Sequence, residues 1–365
     1  MAKLFDICIR GSGIVGRCAA LLLARERLRI ALVESPAPSG ADVRAYALNN
    51  ASRSLLESVR AWPQASHATP VLRMEVMGDD GGNVHFSAAQ QGAQALAWIA
   101  DVPQLEDLLA QAVRYQPLIE TVSAPVPATL TVVCEGRHSA TREEFGVSFE
   151  VTPYAQLGIA ARVRGAQPHG QTAKQWFGNG GVLAFLPLDG PQGNSAAIVW
   201  SAPVERAQAL LALAPEAFAD ELRRACHDAW GEMEQISERA SWPLQLAQAQ
   251  RWCGPGWVLA GDAAHNLHPL AGQGLNVGLQ DVAELARVLH GRASWRNVGD
   301  AKLLRQYERS RKADVLLMRA ATDGLHQLFG QAGMAPQRLR NWGMTGFEHS
   351  GVVKHWVARQ AMGQY

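Results

Sequence analysis

Runs of apolar residues at the start of the chain predict a strand, a helix and a second strand in close succession. Residues 4–9 form a short apolar run that is typical of a buried parallel strand. An Ala- and Leu-rich helix is predicted over residues 18–27, and a second apolar strand over residues 29–33. This order favours an α/β architecture with a parallel sheet.

The later pattern predicts that the chain leaves this unit and returns to it. The predicted elements are strands at 71–76, 129–134 and 257–260, helices at 104–115 and 275–290, a β-rich region at 147–203, a helical region at 204–231, and helices over the last ninety or so residues. The turn at 78–82 and the Gly-rich turn at 178–181 separate strands. No internal repeat or low-complexity segment is visible.

The loop after the first predicted strand has the spacing of a dinucleotide-binding turn. Residues 11–16 read Gly-Ser-Gly-Ile-Val-Gly. Gly11 permits a tight turn, Gly13 lets the backbone approach a pyrophosphate, and Gly16 allows close packing of helix and strand. Glu34 ends the second strand, where a carboxylate can accept from both ribose hydroxyls. With its strand–helix–strand context, this GxGxxG predicts a dinucleotide site.

The most informative stretch is residues 261–281, Gly-Asp-Ala-Ala-His-Asn-Leu-His-Pro-Leu-Ala-Gly-Gln-Gly-Leu-Asn-Val-Gly-Leu-Gln-Asp. It follows an apolar strand and runs through small residues into the amphipathic helix, so free backbone N–H groups should point at whatever lies in front of that helix. Asp262 can accept hydrogen bonds from a chain of hydroxyl groups. An electron-poor ring with a polyol tail would suit this site, which describes a flavin. Taken alone, the stretch could also be a strand–loop–helix connection with glycines for tight packing.

Composition narrows the class of protein. The chain has 365 residues, 48% of them hydrophobic and 18% charged, which fits a globular protein of two domains. A net charge of +1 argues against nucleic acid as the main partner. The five cysteines are odd in number and contain no CxxC, which predicts a reducing compartment without disulfides or a zinc site. We expect no signal peptide and no membrane-spanning segment.

Together these motifs resemble the class A flavoprotein monooxygenases with a p-hydroxybenzoate-hydroxylase-like fold, and most closely the ubiquinone-biosynthesis hydroxylases (UbiH, UbiF, UbiI and relatives). The resemblance covers nearly the whole chain. Besides residues 261–281, it includes residues 304–309 followed by Arg311, and residues 321–325 and 359–363. It implies an α/β fold: a discontinuous, Rossmann-like FAD-binding domain (1–70, 101–146 and 251–295), a β-rich substrate domain (71–100 and 147–250), and a C-terminal helical region (296–365).

The resemblance also assigns roles to residues. Pro269, Gly272, Gln273 and Gly274 would form the loop against the flavin ring, with no acid or base assigned. The residues that would hold the rest of FAD are Gly11, Gly13, Ile14, Val15, Gly16, Glu34, Arg44, Gln104, Gly261, Asp262, Leu275 and Asn276. His265 and His268 are interpreted as ordering the loop rather than as acid or base. No metal site is implied.

The family chemistry would be hydroxylation of an electron-rich ring by a flavin C4a-hydroperoxide. The implied substrate is a polyprenylated phenol or quinone precursor in ubiquinone biosynthesis, with O2 as co-substrate and NAD(P)H as a transient electron donor. Val182, Leu183, Phe185 and Trp200 are candidates to line a groove for the tail. The resemblance implies a cytoplasmic protein. It leaves three points open: peripheral contact with the inner face of the cytoplasmic membrane, a homo-oligomer, and a quinone-biosynthesis complex.

Three positions depart from the family pattern. Glu135 replaces the Asp of the usual Ala-Asp-Gly motif, which raises the question of how well this motif supports the flavin. Residues 116–128 include three prolines and are too few for the family's β-meander, so one sheet face should be exposed or covered by another element or subunit. Residues 102–103, Val-Pro, replace a polar residue, and Gln104 could substitute. These departures leave open an alternative, a catalytically weak or inactive flavin-fold scaffold of a quinone-biosynthesis complex.

Overall fold

The computed structural model describes residues 5–34, 42–78, 82–178, 180–266 and 274–330, together with residues 348, 350, 354–355, 358–359 and 362–363 near the C-terminus. Of residues 317–330 it describes the backbone alone. Two large sheets and a small one, with eight helices among the described residues, make up the fold.

The first sheet contains the predicted apolar runs. Its strands are β1 (Phe5–Arg10), β2 (Ile30–Val33), β8 (Ile119–Val122), β9 (Ala128–Val133), β16 (Cys253–Gly254) and β17 (Trp257–Leu259). They follow the order β16-β17-β9-β1-β2-β8 across the sheet. All neighbours are parallel except β16, which is antiparallel to β17. The carboxyl ends of β1, β9 and β17 therefore meet at one edge, where α/β proteins bind ligands.

Helices cover one face of this sheet. They are α1 (Ile14–Arg25), α2 (Asn50–Ser58), α3 (Val102–Arg114), α7 (Gly274–His290) and α8 (Ala301–Gly330). Ile7 and Ile9 of β1, Leu23 of α1 and Leu105 of α3 are fully buried in the core between them. The predicted helix at 18–27 begins one turn earlier, at Ile14, because its first turn contains the glycine motif that pattern alone does not assign to a helix.

The opposite face of the first sheet lacks the family's meander, as expected. Between α3 and β9 the chain forms a single four-residue strand, β8. A short helix, α4 (Ala140–Glu144), covers part of this face, where Arg10 donates to Thr141 at 2.9 Å and to Glu144 at 2.7 Å. Next to this contact the Phe145 ring stacks on Trp257.

The centre of this face is made of small residues. Cys8 and Ala31 lie side by side there, and both are buried. Stable interfaces usually bury apolar patches, and these two strands offer none on this face. The interface predicted from the missing meander therefore stays a prediction, without support from an exposed apolar surface.

The second sheet is mostly antiparallel. Its strands are β5 (Arg73–Met77), β6 (Asn83–Ser87), β10 (Phe149–Gly165), β11 (Thr172–Gly178), β12 (Gly181–Pro187), β13 (Ser195–Pro203), β14 (Met233–Gln235), β15 (Ala240–Ala249) and β18 (His265–Asn266). They follow the order β18-β15-β10-β13-β12-β11-β5-β6, with β14 paired to β10. One face packs on α5 (Val204–Ala212) and α6 (Pro215–Ala225), where Phe218 is fully buried.

A small antiparallel sheet connects the two large ones. Its strands are β3 (Ala45–Leu48), β7 (Ala97–Asp101) and β4 (Ala68–Val71), in that order across the sheet. Arg162 of β10 binds Asp101 with two hydrogen bonds, of 2.7 and 3.2 Å, and donates to the Val43 carbonyl at 3.2 Å. The ion pair fixes the second sheet to β7, and the bond to Val43 fixes it to the segment that leads into β3. The domain boundaries predicted from the sequence remain a prediction.

Residues near the C-terminus return to the first half of the chain. The Met362 carbonyl accepts from the Asn50 N–H at 3.2 Å, and the Met362 side chain is buried. Glu348 accepts from the His85 N–H at 3.0 Å and pairs with Lys354 at 2.8 Å. No helix among the described residues combines the length and the apolar character needed to cross a membrane.

Tyr307 of α8 provides a test of the packing between α8 and the first sheet. It is fully buried, and its hydroxyl donates to the Leu259 carbonyl at 2.9 Å. We expect Tyr307→Phe to lower the free energy of unfolding by about 1 kcal/mol, because the carbonyl loses its partner. Urea unfolding measures the change. Tyr115→Phe is the control, since Tyr115 is 81% exposed and the change should cost less than about 0.5 kcal/mol. Equal losses in both variants would contradict this account.

Candidate active site

A cavity of about 810 Å³ lies between the carboxyl edge of the first sheet and the second sheet. We call it the central cavity. The beginnings of α1 and α7 form one wall, and β10, β12, β13 and β15 contribute the opposite wall. Half of the site residues predicted from the sequence line this cavity, namely Gly13, Ile14, Val15, Arg44, Asp262, Gly274, Leu275 and Asn276.

Two glycines of the first motif are required by packing. Gly11 has a φ of +107°, and a Cβ there would lie 2.4 Å from the Cys134 carbonyl oxygen. A Cβ on Gly16 would lie 1.9 Å from the Gly11 carbonyl oxygen. Any larger residue would therefore separate β1, α1 and β9, as the motif predicts.

Gly13 differs from these two because it faces open space. No atom lies within 4 Å of where its Cβ would be. Gly13 is also the N-cap of α1 and provides no side-chain cap, so the first N–H groups of the helix are left for another partner. Gly13, Ile14 and Val15 all line the central cavity. This helix end can hold an anion such as a pyrophosphate.

The second motif begins with a tight turn after β17. Gly261 has a φ of +64°, and a Cβ there would lie 3.3 Å from the Val15 side chain. A Cβ on Gly278 would lie 3.3 Å from the Gly261 backbone, so α1, α7 and this turn meet at one point. Asp262 follows and lines the central cavity, where Asn266 donates to it at 3.3 Å. Burial raises the pKa of the Asp262 carboxyl group, while His265 and Arg137 act in the opposite direction.

A buried charge network holds this turn in place. The Asp281 carboxylate is fully buried and accepts from the Gly261 N–H at 2.8 Å, from His265 Nε2 at 2.6 Å and from Arg311 Nε at 2.7 Å. Burial opposes ionisation of Asp281, but His265 and Arg311 outweigh it and lower the pKa. His265 thus holds the turn, as interpreted from the sequence, and does not reach the cavity with a free nitrogen.

The beginning of α7 forms the second helix end at the cavity. Gly274, Leu275 and Asn276 line it, and nothing lies within 4 Å of where a Cβ on Gly274 would be. Pro269, Gly272, Gln273 and His268 lie outside the described residues. The sequence predicts that Asn276 binds cofactor, but its amide is occupied within the protein. It accepts from the Asn49 N–H and Ser52 Oγ and donates to the Ala47 carbonyl.

Arg44 lies at the cavity as predicted, held by Asp42. Its guanidinium and its backbone N–H both donate to the Asp42 carboxylate, and the side-chain bond raises the pKa of Arg44. Another guanidinium nitrogen lies 3.3 Å from the Tyr46 hydroxyl. On α3, Glu106 lines the central cavity, whereas Gln104 is not among its lining residues. Glu34 directly follows β2 with an exposed side chain, and its N–H donates to the Val122 carbonyl.

Glu135 organises its own turn. Its carboxylate accepts from Ser139 Oγ at 2.8 Å and from both the N–H and the hydroxyl of Thr141, at 3.0 and 2.6 Å. Arg142 is buried nearby and donates to the Ala263 and Arg137 carbonyls. The longer acid therefore stabilises the loop that presents Gly136 and Arg137 to the cavity.

The second sheet gives the cavity an apolar floor of small residues. Ala160, Ala173, Ala184 and Ala197 lie on adjacent strands and line it. Of the side chains predicted to form a substrate groove, Val182 is on this face. The prediction was wrong for Leu183, Phe185 and Trp200, which pack on α5 and α6. Side chains alternate along a strand, so a run of apolar residues cannot all face one side.

The residues present fit FAD. Two helix N-termini and a carboxylate converge on one cavity, which suits a pyrophosphate, a ribityl chain and a ring that becomes negatively charged on reduction. Among the residues that the structure describes, no cluster of His, Cys, Asp and Glu could hold a metal ion. Fold and site together are those of an FAD-dependent monooxygenase.

Comparisons with known proteins support the same class of enzyme. Residues 114–320 match a family model described as an FAD binding domain. The chain is 33% identical over 394 residues to ubiquinone hydroxylase UbiL of Rhodospirillum rubrum, covering 99% of this chain and 90% of that protein. It is 30% identical to the 3-demethoxyubiquinol 3-hydroxylase of Escherichia coli, covering 98% of both. The chain belongs to the family of FAD-dependent ubiquinone-biosynthesis hydroxylases.

Solved structures support the fold. PqsL, a probable FAD-dependent monooxygenase from Pseudomonas aeruginosa, superposes with a TM-score of 0.77 at 20% identity, covering 94% of this chain and all of that one. The p-nitrophenol 4-monooxygenase PnpA from Pseudomonas putida superposes with a TM-score of 0.76 at 17% identity, covering 99% of this chain and 97% of that one. The predicted family, fold class, enzyme class and FAD cofactor are therefore confirmed.

Gly16 and Gly13 provide a matched test of the first motif. We expect Gly16→Ala to unfold the FAD-binding region, since its Cβ would overlap the Gly11 carbonyl. Gly13→Ala should keep its stability within about 1 kcal/mol, because its Cβ has room, but bind FAD at least about tenfold more weakly. Thermal unfolding of the apoprotein and fluorescence titration with FAD measure the two effects. Normal FAD affinity in Gly13→Ala would contradict the placement of the pyrophosphate.

The two carboxylates around Arg311 provide a second matched pair. Asp281→Asn should cost about 3–5 kcal/mol, because it leaves Arg311 buried beside a neutral amide. Asp314 also binds Arg311 but is 61% exposed, so Asp314→Asn should cost less than about 1 kcal/mol. Chemical unfolding compares them. Similar losses for both would show that the buried carboxylate has no special role.

Proposed function

We propose that this protein hydroxylates the aromatic ring of a polyprenylated phenol or quinone precursor in ubiquinone biosynthesis, using FAD, O2 and NAD(P)H. One observation carries the proposal: an apolar floor of small side chains opens into the same cavity as the FAD-binding helix ends. A ring can therefore be held against the cofactor in a largely apolar chamber. When bound, FAD supplies the activation of O2 that no side chain provides.

We assign the cofactor-binding roles as follows. The N-terminus of α1, with Gly13, Ile14 and Val15, would hold the pyrophosphate. Asp262 would accept from the ribityl hydroxyls, and Glu34 from the ribose. The N-terminus of α7 at Gly274 would stabilise the negative charge of the reduced ring, together with the loop that includes Pro269, Gly272 and Gln273.

The remaining wall of the cavity orients substrate and excludes water. Its apolar floor excludes water from around the reacting ring. This limits the side reactions with water that would compete with oxidation of the ring. Arg44, fixed on Asp42, keeps a positive charge near the pyrophosphate region. No acid or base is assigned, because the titratable side chains of the described wall are engaged with one another or lie near the cofactor region.

The alternative of a catalytically inactive scaffold receives no support from Glu135. Its hydrogen bonds close its own turn, and Gly136 and Arg137 still reach the cavity. The shortened middle of the chain affects the face of the first sheet that is remote from the cavity. The enzyme interpretation is therefore the one that the site favours.

We further propose that the protein acts in the cytoplasm, in peripheral contact with the inner face of the membrane. A polyprenyl substrate partitions into the bilayer, and exposed aromatic side chains favour its interface. Trp295 is 76% exposed and Tyr115 81%. Association with a second copy or with other enzymes of the same route is a related proposal, which sedimentation of the holoprotein tests.

The direct test uses purified protein reconstituted with FAD. A prenylated phenol, such as 2-prenylphenol, is supplied with NADH or NADPH under isotopically heavy O2. We expect flavin absorption at one FAD per chain and a product that has gained one heavy oxygen atom, detected by mass spectrometry. Asp262→Ala is expected to lose most of the bound FAD. Full FAD occupancy without oxygen incorporation, with either nicotinamide, would favour the scaffold.

A further inference from the structure

Most polar side chains of the central cavity are committed to other parts of the protein. Tyr46 contacts Arg44, Ser201 contacts the Val182 backbone, and the Asn276 amide binds Asn49, Ser52 and the Ala47 carbonyl. The remaining engaged residues of the wall are Asp42, Asn49, Arg137, Lys174, Gln175, Asp262 and Asn266. Few side chains are left that could bind a polar group on a substrate.

Gln245 differs from these residues. It lines the central cavity from β15, it is half-buried, and its amide forms no hydrogen bond within the described part of the chain. Glu106, whose carboxylate also forms no hydrogen bond there, is on α3 near Arg44 and so belongs to the cofactor region. Trp242, beside Gln245, offers a single indole N–H donor and no acceptor. Gln245 is thus an available neutral donor and acceptor on the substrate side.

A distortion of the sheet explains why Gln245 reaches the cavity. Residues 242–245 all line it, although side chains of a regular strand alternate between faces. On the neighbouring strand the register shifts between Pro153 and Leu157, opposite residues 243–245, and Ala155 has a φ of +52°. A bulge of this kind redirects side chains and is common beside active sites.

The position of Gln245 relates it to the flavin motif. Two residues further along β15, Ala247 pairs with Asn266, and Asn266 donates to Asp262. Gln245 therefore lies where the second sheet approaches residues 261–266. Its neighbours in the wall, Trp242 and Leu244, are largely apolar. An amide beside them is suited to one ring oxygen, because it can donate to that oxygen and can accept from a hydroxyl hydrogen.

We propose that Gln245 binds the phenolic oxygen of the substrate and so determines which ring carbon faces the flavin. This assignment rests on the proposed function and names a substrate-positioning residue for it. The amide N–H donates to the ring oxygen, and the amide oxygen can accept from a neutral hydroxyl. The substrate class that follows is a phenol or quinol.

The test measures binding separately from turnover. The probes are 2-prenylphenol and its methyl ether, titrated into the FAD-loaded enzyme while the flavin absorption is recorded. We expect the wild type to bind the phenol about tenfold more tightly than the ether, as one hydrogen bond would give. Gln245→Leu should bind both probes with affinities within about twofold of each other. Gln245→Met keeps the length and flexibility of the side chain and should show the same loss.

Gln248→Leu is the matched control. Gln248 is on the same strand, is equally half-buried and does not line the cavity, so this variant should keep the wild-type preference for the phenol. With 2-prenylphenol, Gln245→Leu should also yield a smaller share of hydroxylated product per nicotinamide oxidised, or a different ring isomer.

Two results would overturn the assignment: a preference for the phenol that persists in Gln245→Leu, or a wild type that does not distinguish the probes. A failure of the proposed function looks different. In that case the wild type would discriminate between the probes by binding, yet incorporate no oxygen into either.

Discussion

The buried Asp281 carboxylate is the interaction on which the site depends. Burying a charge costs several kcal/mol unless partners compensate, and here an arginine, a histidine and a backbone N–H do so. Because those partners come from α8, from β18 and from the turn after β17, the carboxylate is satisfied only when all three are in place. The arrangement therefore specifies one geometry for the turn that presents Asp262.

Helix α7 transmits that geometry to the rest of the cavity. Along its first two turns it carries Asn276, which binds the segment around β3 and α2, then Gly278, which packs against Val15 of α1, and then Asp281. Each contact is short and tolerates little displacement. The two helix ends that face the cavity are thus held at a fixed separation by contacts within the protein.

The sequence was sufficient to predict what depends on local pattern. The GxGxxG turn, its apolar strands, the strand at 257–259 and the helix at 274–290 follow from spacing and from the demands of close packing, and the structure contains them. The pattern could not show which lining residues keep free polar groups. Asn276 fits the motif but is occupied by the backbone near Ala47, and Glu106 rather than Gln104 is at the cavity. Both outcomes depend on contacts between segments that are far apart in sequence.

Other features were accessible to sequence reasoning but were missed. Strict alternation along β12 and β13 separates Val182 from Leu183, Phe185 and Trp200, and applying it would have avoided that error. The partnership of Asp281 and Arg311 had a signal, since both positions belong to family-like segments. The bulge opposite Gln245 had none, because neither Pro153 nor Ala155 predicts a register shift.

The return of the C-terminal segment has a consequence for how the protein is made. Met362 forms part of the cavity wall, and its carbonyl accepts a hydrogen bond from the Asn50 N–H. Two segments that are far apart in the sequence must therefore meet there. Strands β1 and β2 can pair early in synthesis, but the wall stays open until residue 362 has left the ribosome. Contacts of such long range are slow to form. Newly made chains should therefore pass through a state in which the nucleotide-binding region has folded while the apolar floor of the central cavity is still exposed. This is the stage at which a chaperone is needed most.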